Sequence, residues 1–305
     1  MERKLLKSGI SGLDKVLGGG IIEGSIIALS GPPGCGKSTA AMQFIYAGAT
    51  EYNEPGLYIS IEESRNDVYF HSSGFKWDIA RVEKERKFVL LDYPIHEVEQ
   101  ILNQYSAVQE IIQSTGVKRV VIDSVMPIAL YFANDDDRKR GFVKFIENLR
   151  RWGVTTIILA GDSKTGNLHD TPSTYYGIEN YTDGWICLHY SYNQGKMERE
   201  RYLEVLKMKG LAHSNKLYPI QINDYGMKVV LGSDEKGGSK PPADSKPQMI
   251  EQKQQPKKLA FKGTMTREST PVPAIGKKLA KGNVDEIMSK IAAAKARLVK
   301  QKDRQ

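Results

Sequence analysis

The chain has 305 residues, 40% of them apolar and 26% charged, the ordinary composition of a globular protein long enough to bury a large core. No stretch approaches the roughly 18 uninterrupted apolar residues of a membrane helix. The basic start, Met1–Gly19, lacks an apolar h-region and a cleavage site, so the expected location is the cytoplasm. Two cysteines, Cys35 and Cys187, are too few for a disulfide framework or a Cys-only zinc site. The net charge of +8 divides unevenly: residues 232–305 hold 17 Lys/Arg against 8 Asp/Glu, leaving 27 against 28 in residues 1–231. A basic surface is therefore expected of the tail alone.

In chain order, a first β-branched run at Ser25–Ser30 reads as a strand. It leads into Gly31-Pro32-Pro33-Gly34-Cys35-Gly36-Lys37-Ser38, then a helical stretch with Ala41, Phe44, Ile45 and Gly48 on one face. The run Leu57–Ile61 predicts a strand beside the first, and Glu62-Glu63 follows it directly. Phe88–Leu91 is the next strand. From His96 to Thr115, Val98, Ile101, Leu102, Tyr105, Val108, Ile111 and Ile112 recur at helical spacing. Arg119–Asp123 is an apolar strand ending in a carboxylate. Asp135-Asp136-Asp137 reads as a solvated helix start, because three adjacent carboxylates cannot all face one ion, and Phe142, Phe145, Ile146, Leu149 and Trp152 give that helix its apolar face. Strands follow at Thr155–Ala160 and Trp185–His189; Tyr202–Lys207, Tyr218–Ile222 and Met227–Leu231 read as antiparallel, joined by turns such as Asp224-Tyr225-Gly226.

Strands alternating with helices predict an α/β fold: a mostly parallel sheet flanked by helices, with antiparallel C-terminal strands, over residues 1–232. Residues 233–283, with six prolines and one aromatic, are expected to be a disordered Pro/Lys-rich linker. Residues 284–305, capped by Asn283, are a candidate basic amphipathic helix.

The segment Gly31–Ser38 matches G-x-x-x-x-G-K-[ST] in full, between a strand and a helix. Glycines let backbone N–H groups curl around phosphate oxygens, and the helix N-terminus adds its positive end. Gly31 to Ser38 and the following Thr39 are thus candidate ATP contacts: Lys37 for the β/γ-phosphates, the Ser38 hydroxyl for Mg²⁺. Asp123 stands where a Walker-B carboxylate holds the same ion, though Asp also ends strands as a turn former. Glu62 and Glu63 are candidates to orient and deprotonate the attacking water, or else solvated acids; adjacent residues at a strand end diverge, so only one should face the γ-phosphate.

The order of these motifs resembles a known family. Ser8-Gly9-Ile10-Ser11-Gly12-Leu13-Asp14, Leu17-Gly18-Gly19-Gly20-Ile21, the P-loop, Glu62-Glu63 and Val121-Ile122-Asp123-Ser124 resemble the KaiC-like branch of the RecA/RadA ATPase superfamily, in its single-domain archaeal form. So do Gly177 to Gly184, Leu206-Lys207-Met208-Lys209-Gly210, His213, Tyr218-Pro219 and Ile222 to Gly226. The likeness spans about residues 5–231, and the tail lies outside it. It implies a RecA-like fold, ATP hydrolysis with Glu62/Glu63 as catalytic acids, and a ring, commonly a hexamer, with ATP between subunits. It also implies that Lys207 and Lys209 reach a neighbour's γ-phosphate, as an arginine finger does; the alternative for both is a solvated strand edge. Lys209 stands where arginine is usual, and a point charge without the bidentate fork suits slow or regulated catalysis.

Three readings of function follow. The first is an ATP-hydrolysing oligomer acting as a nucleotide-dependent regulatory switch, its tail engaging a protein partner. The second is a DNA-handling relative of recombinases, whose tail would bind phosphates, although the main body is near neutral and the tail has almost no aromatics for base stacking. The third is a scaffold that binds ATP to assemble and hydrolyses little. Asp162 and Ser163 are candidate γ-phosphate sensors or a polar turn, and His213 supports the finger region or caps a loop.

Overall fold

Residues with β-branched runs too apolar for one solvated face must be covered on both, and that requirement builds the sheet. The computed structural model describes residues 3–232 except 94, 96–97, 104, 163–167 and 169–170. The elements are β1 (Leu5–Leu6), α1 (Leu13–Val16), β2 (Ile21–Ile22), β3 (Ile26–Gly31), α2 (Lys37–Glu51), β4 (Gly56–Ser60), α3 (Arg65–Ser72) and α4 (Ile79–Lys84). There follow β5 (Phe88–Asp92), α5 (Val98–Asn103), α6 (Tyr105–Thr115), β6 (Arg119–Asp123), α7 (Met126–Tyr131), α8 (Asp135–Trp152) and β7 (Thr155–Gly161). A 3₁₀ turn, Ile178–Asn180, precedes β8 (Gly184–Asn193), β9 (Glu198–Met208), β10 (Tyr218–Asn223) and β11 (Gly226–Val229).

Nine strands form one sheet in the order β11-β10-β9-β8-β3-β7-β6-β4-β5. β8, β3, β7, β6, β4 and β5 pair in parallel, so their carboxyl ends share one edge. From β8 onward the pairing turns antiparallel, ending in the β10–β11 hairpin around Asp224-Tyr225. The strand order corrects one expectation. β4 does not lie beside the P-loop strand β3: β7 and β6 stand between them. Crossover helices let each new strand join either side of the sheet, so adjacency in sequence does not impose adjacency in space.

Alternation along the strands divides the core into two layers. Ile27 and Leu29 of β3, Val121 of β6 and Ile157 of β7 face α2, through Ala41, Phe44 and Ile45. Ile26, Val120, Ile122 and Ile158 face the other way, onto Phe142, Phe145 and Leu149 of α8. Each of those α8 side chains is buried, at about 2 kcal/mol of transfer free energy apiece. As expected from its charges, α8 starts in solvent: Asn134 accepts from the Asp137 N–H at 2.9 Å, and Asp135, Asp136 and Asp137 fill the first turn. The single periodic stretch read over 96–115 is two helices, α5 and α6. Its first residue, His96, lies outside the described residues, as do Ser163, the linker 233–283 and the helix 284–305. No helix among the described residues is long and apolar enough to cross a membrane.

Candidate active site

β3 ends at Gly31, where a side chain has no room: a Cβ there would meet the Leu188 carbonyl oxygen at 2.4 Å and the Cys35 Sγ at 2.7 Å. Gly36, at φ 105°, caps the N-terminus of α2 and leads straight into Lys37. Its Cβ would strike Ile222 at 2.6 Å. These two glycines let Pro32, Pro33, Gly34 and Cys35 wrap tightly over the helix end, where the first N–H groups lack carbonyl partners. Lys37 curls over the loop, its Nζ donating to the Gly31 and Pro32 carbonyls at 2.8 and 3.0 Å. Ser38 and Thr39 occupy the first turn of α2. Such an arrangement can cradle phosphate oxygens, with the Lys37 cation already aimed at acceptors inside it. Cys35 is buried, and burial pushes its thiol above the ordinary value, a state unsuited to redox gating.

At the end of β6, Asp123 meets the helix end. Tyr58 of β4 donates to its Oδ2 at 2.5 Å, and the Ser38 hydroxyl lies close enough to favour its ionised form. Burial raises the Asp123 carboxyl above the usual value; the Tyr58 and Ser38 hydroxyls oppose this, while the Glu62 and Glu63 carboxylates add to it. A hydroxyl and a carboxylate oxygen together, amid negative charge that disfavours ionisation, form a donor set that a divalent cation would relieve. The chain therefore fits both ATP and Mg²⁺.

The paired glutamates diverge, although both lie in the bend beyond β4 rather than in the strand. Both follow β4, which ends at Ser60 beside Asp123. Glu62 turns toward that strand end and accepts a hydrogen bond from the Ser124 hydroxyl. Glu63 turns away, its Oε2 3.2 Å from Nδ1 of His71 on α3, while its backbone is held by Ser60 Oγ.

Lys207 and Lys209 lie at the other end of the sheet. Lys207 pairs with Trp185, which pairs with Ala28 near the start of β3. Its Nζ donates to the Glu179 carbonyl at 2.9 Å, and burial, with the Lys209 charge, lowers its pKa. Lys209 Nζ stands 3.6 Å from Asp183. Asp183 also accepts the Ile26 N–H at 3.1 Å and both terminal nitrogens of Arg150 at 2.8 and 2.9 Å. Burial works to raise the Asp183 carboxyl, but the Arg150 and Ile26 hydrogen bonds and the Arg150 and Lys209 charges outweigh it and hold it low. β10 pairs with β9 only at Tyr202 and Leu203, so β8 alone flanks the stretch that carries Lys207.

Asp162 follows β7, is buried, and bridges to Thr174. His213 lies in a loop, its Nδ1 3.0 Å from the Ser214 carbonyl oxygen. Several contributors were not legible in the sequence. Tyr58, in a wholly buried strand, reads as core. Gln43 bonds reciprocally to Met227, its Oε1 accepting at 2.6 Å and its Nε2 donating at 3.1 Å, and so fastens the β10–β11 hairpin against α2. Arg201 donates to the Gly34 carbonyl at 3.1 Å and lies over Tyr190 at 4.5 Å. A distant strand pair thereby braces the P-loop.

The family model for KaiC ATPases matches residues 6–234. A UPF0273 protein of Thermotoga maritima is 31% identical over 240 residues, covering 74% of this chain and 96% of the relative. The circadian clock oscillator protein KaiC of Synechococcus elongatus is 29% identical over 232 residues; that match takes in 73% of this chain and 44% of the clock protein. Among solved structures, a KaiC-like protein of Pyrococcus horikoshii superposes with a TM-score of 0.66 at 34% identity, over 75% of this chain and 100% of the other.

Proposed function

Because the chain belongs to the KaiC family of ATPases, we propose that it is a Mg²⁺-dependent ATPase whose active site is completed by a second copy and whose nucleotide state governs partner binding. The observation that carries this is the meeting of Lys37, Ser38, Asp123 and Glu62 at one sheet edge, with Lys207 and Lys209 at the opposite edge. Gly31 to Thr39 hold the phosphates, and Lys37 leaves its loop carbonyls for the β/γ-oxygens. Ser38 and Asp123 hold Mg²⁺, which supplies neutralisation of the phosphate charge. Glu62, oriented by Ser124, takes a proton from water as the water oxygen attacks the γ-phosphorus and the bond to the β–γ bridging oxygen breaks, giving ADP and phosphate. Glu63, held toward His71, keeps a secondary role. Lys207 and Lys209 of a neighbour in a ring, hexameric by family resemblance, stabilise the departing charge. The near-neutral charge of residues 1–231 favours this reading over DNA handling.

The test is steady-state ATP turnover across protein concentrations with single substitutions. Turnover per subunit is expected to rise with concentration. Glu62→Gln should lower kcat at least about hundredfold while nucleotide binding persists, and Glu63→Gln should cost less than about tenfold. Unchanged turnover in Glu62→Gln would remove the proposed base.

A further inference from the structure

Outside the Ser38–Asp123 corner, three metal-ligating side chains converge on the β8–β9 ladder. Cys187 pairs with Glu204, and His189 follows two residues later on β8, so all three project from one face of the sheet. One ligand atom from each lies within 4.8 Å of the others, and His189 Nε2 is 2.7 Å from Glu204 Oε1. Cys187 is wholly buried and His189 nearly so, while 22% of the Glu204 side chain is exposed, which leaves a small ion a route from solvent. The thiol already has a fixed direction: Cys187 Sγ donates to the Leu188 carbonyl at 3.8 Å, and beside it Ser30 Oγ accepts from the Trp185 indole at 2.7 Å.

We propose that Cys187, His189 and Glu204 bind one zinc-class divalent cation, a second metal site separate from the Mg²⁺ corner and independent of it. A thiolate, an imidazole and a carboxylate suit zinc; Mg²⁺ and Ca²⁺ take oxygen ligands. Ligand atoms around tetrahedral zinc lie about 3.3–3.6 Å apart, so the His189–Glu204 pair, now at 2.7 Å, opens by about half an ångström and the thiol closes by up to about an ångström, within the reach of side-chain rotation. Binding releases the thiol proton to solvent, moves the proton held between His189 Nε2 and Glu204 to His189 Nδ1 or to solvent, and replaces that hydrogen bond with two bonds to the metal, with water in the fourth position. The site adjoins the P-loop strand. Ser30 directly precedes Gly31, and the Leu188 carbonyl fills the space where a Gly31 side chain would be. A bound ion would therefore clip β8 to β9 directly beside the nucleotide cradle.

Co²⁺ is the probe, added to the chelator-treated full-length chain without thiol reductant. The expected result is one equivalent bound, with a thiolate-to-cobalt charge-transfer band that Zn²⁺ displaces and excess Mg²⁺ does not. Cys187→Ser should abolish the band, His189→Gln and Glu204→Gln should weaken binding at least about tenfold, and Cys35→Ser should leave the band intact. No Co²⁺ uptake by the folded chain, a band surviving in Cys187→Ser, or a band lost in Cys35→Ser would overturn the site. Should Cys187→Ser fail to fold, His189→Gln decides, since it keeps the buried thiol: unchanged Co²⁺ affinity in that variant overturns the site equally.

Discussion

Lys207 and Lys209 cannot serve the P-loop of their own chain, and the register sets the distance. Lys207 is two strands from β3, level with Ala28, three residues short of Gly31. Strand spacing and rise place its Cα about 14 Å from that of Gly31, and a lysine side chain reaches only about 6 Å. A shared active site therefore demands complementation. The perturbation pairs two dead variants, Lys207→Ala/Lys209→Ala and Glu62→Gln, each expected to lose at least about hundredfold in turnover. Mixed one to one and assembled at random, about a quarter of the interfaces join an intact Glu62 to intact neighbouring lysines. The mixture should then recover about a quarter of the wild-type turnover per subunit. The assay is ATP turnover against the mixing ratio, with subunit exchange followed by crosslinking of differently tagged chains. If exchange occurs and the mixture is no more active than the average of its parents, the trans contact is wrong. A fully active double-lysine variant would refute it more simply.

Other outcomes follow from single contacts. Arg119 is wholly buried, donates to Glu54 and the Phe44 carbonyl, and fits because Gly48 lacks a side chain. Arg119→Met should cost about 2–3 kcal/mol in urea unfolding, below the 3–5 of a fully buried pair because Glu54 can regain water; a cost under about 0.5 kcal/mol would refute this. Glu200 is held at about 2, below its ordinary 4.5, by hydrogen bonds from Lys196, Tyr202 and Asn193. A lowered native pKa stabilises above the unfolded value, and the gain disappears as pH falls from 4.5 toward 2. Wild type should therefore exceed Glu200→Gln by about 1 kcal/mol at pH 7, the figure discounted for solvent screening, with the gap narrowing by pH 3.5 in urea melts. Removing residues 233–305 should leave ATP turnover within about twofold if the tail is only a partner arm. Loss of ATP-dependent assembly in that truncation would contradict the boundary at 232.

Local signals carried most of the fold. Runs such as Arg119–Asp123 and Thr155–Ala160 form strands almost residue for residue, because burial on both faces leaves a continuous apolar run that flanking turns punctuate. The P-loop was equally legible, since its glycines are demanded by the backbone itself. Strand order was not. Nothing in Leu57–Ile61 states that β7 and β6 intervene before β3, because order is decided by which side of the growing sheet each crossover reaches. For the same reason Tyr58, Gln43, Arg201 and the Cys187–His189–Glu204 group carried no signal: each acts through a partner 15 to 184 positions away.

Asp183 shows what that distance hides. It caps the first N–H of β3, fixes Arg150 at the end of α8 and pairs with Lys209. The P-loop strand and the proposed finger thus share one anchor inside a single chain. For Lys209 to reach a neighbour's phosphate it must leave Asp183, and a carboxylate held low partly by that charge then leans harder on Arg150 and the Ile26 N–H. The cost of withdrawal is modest, because the Lys209 side chain is 56% exposed and such pairs contribute about 0–1 kcal/mol. Arginine would bind the same carboxylate through a fork and leave it less readily. Lysine at this position therefore weakens both the resting grip and the catalytic one, a balance suited to a site that engages only when a loaded neighbour competes for the charge.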